Sequence, residues 1–243
     1  MDNGESGDAG EREAPGGNRD HGHHDNEDHA HGDHGHNNDQ GWRGAVRYLR
    51  HAPEMWRSEI NDAVVDLVDP QPGEQVVDIG AGMGAGTVVA ARRGANVTAI
   101  EPTPFMRAVL TVRKWGQRSR RLIDVVDAGA EQLPVADGSA DAMWATNSMH
   151  HWMNADQAVG EIARALTGGG RVVLVDENFD DPEHPDYERF GGGDDSLEHH
   201  GFHSVDVEAM AERLRNAGLV DVDTSRTEVA GRPVFAVTAR SEA

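Results

Sequence analysis

The chain has 243 residues, room for one large domain with an appendage. Its 43 acidic and 22 basic residues give a net charge of −21, which opposes nucleic acid or an anionic membrane unless cations are segregated into a patch. The lack of cysteine excludes disulfides, thiolate metal sites, iron–sulfur clusters and a cysteine nucleophile.

Residues 1–40 hold eleven acidic and two basic residues and seven of the 14 histidines, with no Trp, Phe, Tyr, Leu, Ile or Val. Such a segment cannot bury enough apolar surface to offset chain ordering and is expected to be disordered, leaving 41–243 as the folded domain. Its histidines, His21, His23, His24, His29, His31, His34 and His36, alternate with Asp25, Glu27, Asp28 and Asp33. Imidazole with carboxylate suits a divalent transition metal, in no fixed geometry; a solubilising or pH-responsive tail fits the same composition. The segment lacks the basic and apolar regions of a secretory signal, and no apolar run approaches the ~20 residues that span a bilayer, so a cytoplasmic protein with no membrane span is expected.

From Gly41 to Val68 the apolar spacing predicts two helices broken at Pro53, and Asp69-Pro-Gln-Pro-Gly73 stops the second. Strand and helix then alternate. Strands are predicted at Gln75–Ile79, Asn96–Ile100, Leu122–Val126, Ala140–Ala145 and Arg171–Val175; helices at Gly84–Arg93, Pro104–Trp115 and Asp156–Leu166, the last capped by Asn154. A helix at Val205–Ala217 and two extended segments, Val220–Val229 and Val234–Ala239, follow. The expected fold is α/β, a doubly wound and mostly parallel seven-stranded sheet whose last strand, entered by a short hairpin, runs antiparallel. The one dense basic stretch is Arg113, Lys114, Arg118, Arg120 and Arg121.

The loop Val76-Val-Asp-Ile-Gly-Ala-Gly-Met-Gly84 joins the first strand to a helix, with Gly80, Gly82 and Gly84 where backbone must turn sharply and approach a ligand. Glu101 ends the second strand, about 20 residues on, where a carboxylate can accept from both hydroxyls of a ribose. Together they indicate an adenosine-type ligand without distinguishing a dinucleotide from other candidates. Asp78, inside the strand before the glycines, requires partners if buried.

Further motifs narrow the choice. Val77-Asp-Ile-Gly-Ala-Gly-Met-Gly84, Ala99-Ile-Glu-Pro-Thr-Pro-Phe-Met106, Ala130-Glu-Gln-Leu-Pro134, Ser148-Met-His-His-Trp152 and Glu161-Ile-Ala-Arg-Ala-Leu-Thr-Gly-Gly-Gly170 occur in register. Over about 75–177 the chain resembles class I S-adenosylmethionine-dependent methyltransferases of the small-molecule, quinone-biosynthesis type. The resemblance implies a Rossmann-like fold and S-adenosylmethionine as cofactor. Asp78, Gly80, Gly82 and Gly84 would hold its methionine part, Glu101 the ribose and Pro102 the adenine, with Ala130 and Glu131 at the adenine edge. Asn147 and Ser148 would stand at the mouth of the site. The chain departs from the family pattern at Ala81, Met83, Pro102, Gly168 and Gly129; the last replaces a common adenine-binding Asp, a contact that Asp127 could supply.

Methyl transfer from a sulfonium needs alignment and water exclusion, and a base only where the acceptor must lose a proton. Candidate bases are His150 and His151 after the fourth strand and His199, His200 and His203 farther on; each could equally shape a wall. Aromatic residues Trp42, Tyr48, Trp56, Phe179, Tyr187, Phe190 and Phe202 suit a lid over an apolar or conjugated small-molecule acceptor, or simple packing. A non-catalytic cofactor- or metal-binding regulator and a nicotinamide oxidoreductase are the alternatives, the latter disfavoured by the absence of a second domain. The acidic charge and the lack of an Asn-Pro-Pro-aromatic clamp argue against nucleobase methylation.

Overall fold

The computed structural model describes residues 58–191 and 205–243. The seven histidines of the amino-terminal segment, Trp42, Tyr48, Trp56, His199, His200, Phe202 and His203 lie outside the described residues.

Helix α1 (Glu59–Val68) begins at Ser58, whose hydroxyl accepts from the Asn61 amide, and ends at Asp69 in the left-handed conformation. Its buried Ile60, Val64, Val65 and Val68 fall at the predicted spacing. Then come β1 (Gln75–Ile79), α2 (Ala85–Arg92), β2 (Asn96–Ile100), α3 (Pro104–Trp115), β3 (Ile123–Val126) and β4 (Ala140–Thr146). The second half comprises α4 (Ala155–Ala165), β5 (Leu166–Glu177), the short α5 (Tyr187–Phe190), α6 (Val207–Asn216), β6 (Val220–Val229) and β7 (Arg232–Arg240). Asn154 caps α4 through its side chain, as expected.

All seven strands form one sheet in the order β3-β2-β1-β4-β5-β7-β6. The first five are parallel, and β7 inserts antiparallel between β5 and β6. This is the doubly wound sheet with an antiparallel final strand that the alternation predicts. One face carries α1 and α2, packed with Val76, Val97, Trp144, Val173 and Val175. The other carries α4 and α6, packed with Met143, Leu174 and Val237. Among the described residues no helix is long and apolar enough to cross a membrane.

One boundary differs appreciably. β5 extends well beyond Arg171–Val175 because Gly168–Gly170 do not end it; Leu166 pairs with Ala140, the register shifts, and pairing resumes at Arg171. A glycine run tolerates that irregularity near the start of a strand, so it shifts the register rather than stopping the strand. At Glu177 the same strand carries its pairing with β7 to Val234, two residues past the expected end.

Candidate functional site

The carboxyl end of β1 lies where the strand order reverses, with β2 on one side and β4 on the other. An open sheet parts there and leaves a crevice for ligands. The chain leaves β1 through a turn in which the Ala81 amide donates to Ile100 O (2.8 Å) and the Gly84 amide to Ala81 O (2.8 Å). Gly80 has φ 71° and a Cβ there would lie 2.6 Å from Ser148 Cβ, so the loops after β1 and β4 touch only because residue 80 has no side chain. A Cβ at Gly82 would meet no atom within 4 Å: the backbone there borders open space. Gly84 caps α2 without a side chain.

Glu101 is buried and ties two loops. Its Oε2 accepts the Gly82 amide at 2.8 Å and its Oε1 the Thr103 amide at 2.7 Å. Each carboxylate oxygen has a second lone pair, so acceptor capacity for a diol remains. Arg107 links the neighbouring positions: Nη1 donates to the carbonyls of Glu101 (2.8 Å) and Pro102 (2.9 Å), and Nη2 pairs with Asp127 (2.7 Å). Asp127 is exposed with its carboxylate on this arginine.

Asp78 points to the face beneath α2, where its Oδ2 accepts the Thr87 hydroxyl at 2.5 Å. Complete burial pushes its carboxyl up to about 7; the Thr87 hydrogen bonds oppose this, and Glu101 adds repulsion. The Trp144 indole lies on the same face and favours the carboxylate, at longer range than a hydrogen bond.

Beyond β4, Asn147 is left-handed (φ 50°) and Ser148–Trp152 wind as a 3₁₀ turn over Met149–His151. Asp176, fully buried on β5, organises this turn. Its carboxylate accepts the amides of Ser148 (2.9 Å), Met149 (3.3 Å) and His150 (3.0 Å) and contacts His150 Nδ1 at 2.7 Å. The next residue, Glu177, faces the other way. It accepts the Asn147 side-chain amide (2.5 Å), contacts His184 Nε2 (2.9 Å) and pairs with Arg232 (2.6 Å). Ala130 is buried, and Glu131 accepts the amides of Met153 (2.8 Å) and Asn154 (3.3 Å) at the start of α4. His151 is exposed, its ring 4.2 Å from that of His150.

The glycine loop, Glu101, Pro102, Asp127 and Asn147 therefore border one end of the sheet, while Asp78 lies beneath it. Sequence reasoning missed Thr87, Arg107, Asp176, Glu177, His184 and Arg232. Two adjacent acids closing an apolar strand were the available signal, since burying carboxylates on opposite faces demands donors on both sides. Among the described residues, no group of three or more His, Asp and Glu could hold a metal ion.

Residues 77–174 match the family model described as "Methyltransferase domain". This part of the chain is a methyltransferase domain. The glycine loop, the ribose-type acid and the sheet order agree with the class I, S-adenosylmethionine-dependent type. The chain is 34% identical over 124 residues to an uncharacterized methyltransferase of Mycobacterium tuberculosis, covering 51% of this chain and 48% of that protein. It is 35% identical over 121 residues to a demethylmenaquinone methyltransferase of Thermobifida fusca, covering 50% and 49%. The chain thus spans about half the length of the curated relatives it matches. Among solved structures, geranyl diphosphate C-methyltransferase from Streptomyces coelicolor A3(2), in complex with Mg2+, geranyl diphosphate and S-adenosyl-L-homocysteine, shares the fold. Its TM-score is 0.60 at 17% identity, covering 74% of this chain and 77% of that one.

Proposed function

We propose that the protein transfers the methyl group of S-adenosylmethionine to a small-molecule acceptor. The observation that carries this reading is Glu101, buried at the end of β2 with one oxygen on the Gly82 amide, beside backbone that borders open space. A side-chain-free turn and a diol-accepting acid, at the crevice where the strand order reverses, suit a ligand with a ribose and a charged tail. When bound, S-adenosylmethionine supplies a methyl group already activated by its sulfonium.

The chain's own residues then position and desolvate. Glu101 orients the ribose, the 80–84 turn receives the methionine part, and Asp78 sets a carboxylate beneath that turn. Pro102, Asp127, Ala130 and Glu131 are assigned to the adenine side, Asn147 to the mouth. Where the acceptor must lose a proton, His150 is the favoured base among the histidines. The Asp176 contact at Nδ1 fixes the orientation of its ring. The substrate side is assigned to an apolar or conjugated molecule, in keeping with the relative named as a demethylmenaquinone methyltransferase. For the histidines of the amino-terminal segment the proposal is weak, fluxional binding of a divalent transition metal.

Calorimetry with S-adenosylhomocysteine tests the cofactor assignment. Glu101→Ala is expected to weaken binding by about 2–3 kcal/mol, from loss of charged hydrogen bonds. Unchanged affinity in a folded variant would refute the ribose assignment.

A further inference from the structure

Among the described residues most arginines have side-chain partners. Arg93 pairs with Asp66, Arg107 with Asp127, Arg164 with Asp137 and Glu161, Arg171 with Glu74, Arg213 with Asp156 and Arg232 with Glu177 and Asp186. Arg92, Arg215 and Arg240 donate to amide or carbonyl oxygens instead, whereas the side chains of Lys114, Arg118, Arg120 and Arg121 form no hydrogen bond or ion pair among the described residues. In a chain of net charge −21, four unneutralised cations within eight residues are a segregated positive patch.

The same place carries exposed apolar surface. Ala108, Val112 and Trp115 follow one another along α3 at i, i+4 and i+7, on the face opposite the buried Leu110. Val112 is 71% and Trp115 69% exposed. The Gly116, Gln117, Arg120 and Leu122 amides each bond three residues back, to Arg113, Lys114, Gln117 and Ser119. This winds the chain tightly past Trp115 and keeps the cations close to it. Gln117 Oε1 accepts from Arg92 at 2.8 Å, which fastens the bend to α2. The whole feature flanks β3, the outer strand of the sheet.

We propose that this face, Val112 and Trp115 with the neighbouring Lys114, Arg118, Arg120 and Arg121, docks the protein on an anionic lipid surface. Indole and aliphatic side chains favour the boundary between headgroups and acyl chains, and unpaired basic residues beside them are attracted to anionic headgroups. The occupant's chemistry follows from the mixture. A nucleic-acid backbone would use the cations but leave the Ala108–Val112–Trp115 stripe wet. A two-fold pairing of copies through this face would cover the stripe but set the cations against one another. Repulsion from acidic residues elsewhere on the chain is screened beyond ~8 Å at physiological salt, so at this face the local cations dominate.

Co-sedimentation of the full-length protein with vesicles tests the proposal. Binding is expected to phosphatidylcholine vesicles that contain phosphatidylglycerol, to weaken with salt, and to be absent on phosphatidylcholine alone. The triple variant Arg118→Glu/Arg120→Glu/Arg121→Glu should bind on the order of 100-fold or more weakly. Val112→Ser/Trp115→Ser should also lose binding while keeping the melting temperature, since both side chains are exposed. Failure to bind anionic vesicles at low salt, or wild-type binding by both variants, would overturn the proposal. So would a dimer in sedimentation velocity that the Trp115 variant dissolves, or higher affinity of the same face for a single-stranded oligonucleotide.

Discussion

Asp176 Oδ2 lies 2.7 Å from His150 Nδ1 and 3.0 Å from the same residue's amide nitrogen, so one buried carboxylate fixes both the backbone and the ring of His150. It takes the Ser148 amide as well. Asp176→Ala should therefore strand several buried donors and destabilise the domain by about 3 kcal/mol or more, read from urea midpoints. Asp176→Asn cannot accept on both side-chain positions and is expected to lie between the variant and wild type.

The two glycines nearest Glu101 respond differently. Gly80→Ala drives a Cβ into Ser148, between loops held by strand pairing, and should cost several kcal/mol, comparable to severe overpacking. Gly82→Ala meets no neighbour and should cost only the left-handed backbone, about 1–2 kcal/mol. Chemical denaturation of the two variants distinguishes them; equal costs would contradict the contact between the β1 and β4 loops.

Asp78 trades stability for charge. Its folded-state pKa is raised to about 7 by burial, so between the unfolded value near 4 and 7 the native state holds a proton that the unfolded state lacks. Stability from this group consequently falls as pH rises through that window and stays reduced above it. Asp78→Asn should stabilise the domain at pH 8, by on the order of 1 kcal/mol or more in chemical denaturation, and flatten the pH dependence. The same variant is expected to bind S-adenosylhomocysteine less tightly.

Two carboxylates give the opposite slope. Glu74 is held below the usual carboxylate range by its hydrogen bond to Arg171, and Glu161 by its hydrogen bond to Arg164, burial opposing in both. Their folded pKa values lie below the unfolded ones, so their stabilisation is present above the unfolded pKa and lost as pH falls through the folded one. Arg171 also binds the carbonyls of Val68 (2.6 Å) and Asp69 (2.8 Å) at the end of α1. Glu161→Gln and Glu74→Gln together should shallow the loss of stability below pH 4 in an acid titration followed by circular dichroism.

Much of this was legible because the chain signals its boundaries locally. β2 and α3 begin and end as predicted, β2 between the Gly94 turn and Glu101, α3 with a proline in its first turn and a glycine after its last. The glycine loop and Glu101 were readable because the ligand-facing turn requires particular residue types at fixed offsets. Asp176, Glu177 and Arg232 were not, since their partners lie far off in the chain: 28 residues separate Ser148 from Asp176 and 55 separate Glu177 from Arg232. Only the sheet order, which places β7 beside β5, brings that arginine to the rim. The β5 glycines misled because a stop signal and a register-shift signal use the same residue.

The position of β7 also sets a timetable. β6 pairs with no other strand of the sheet, so its ten residues can join only once β7 has paired beside β5, and until then their backbone groups bond to water. Largely polar outward residues such as Asp221, Asp223, Arg226 and Glu228 keep that waiting strand from sticking to its neighbours in a crowded cell.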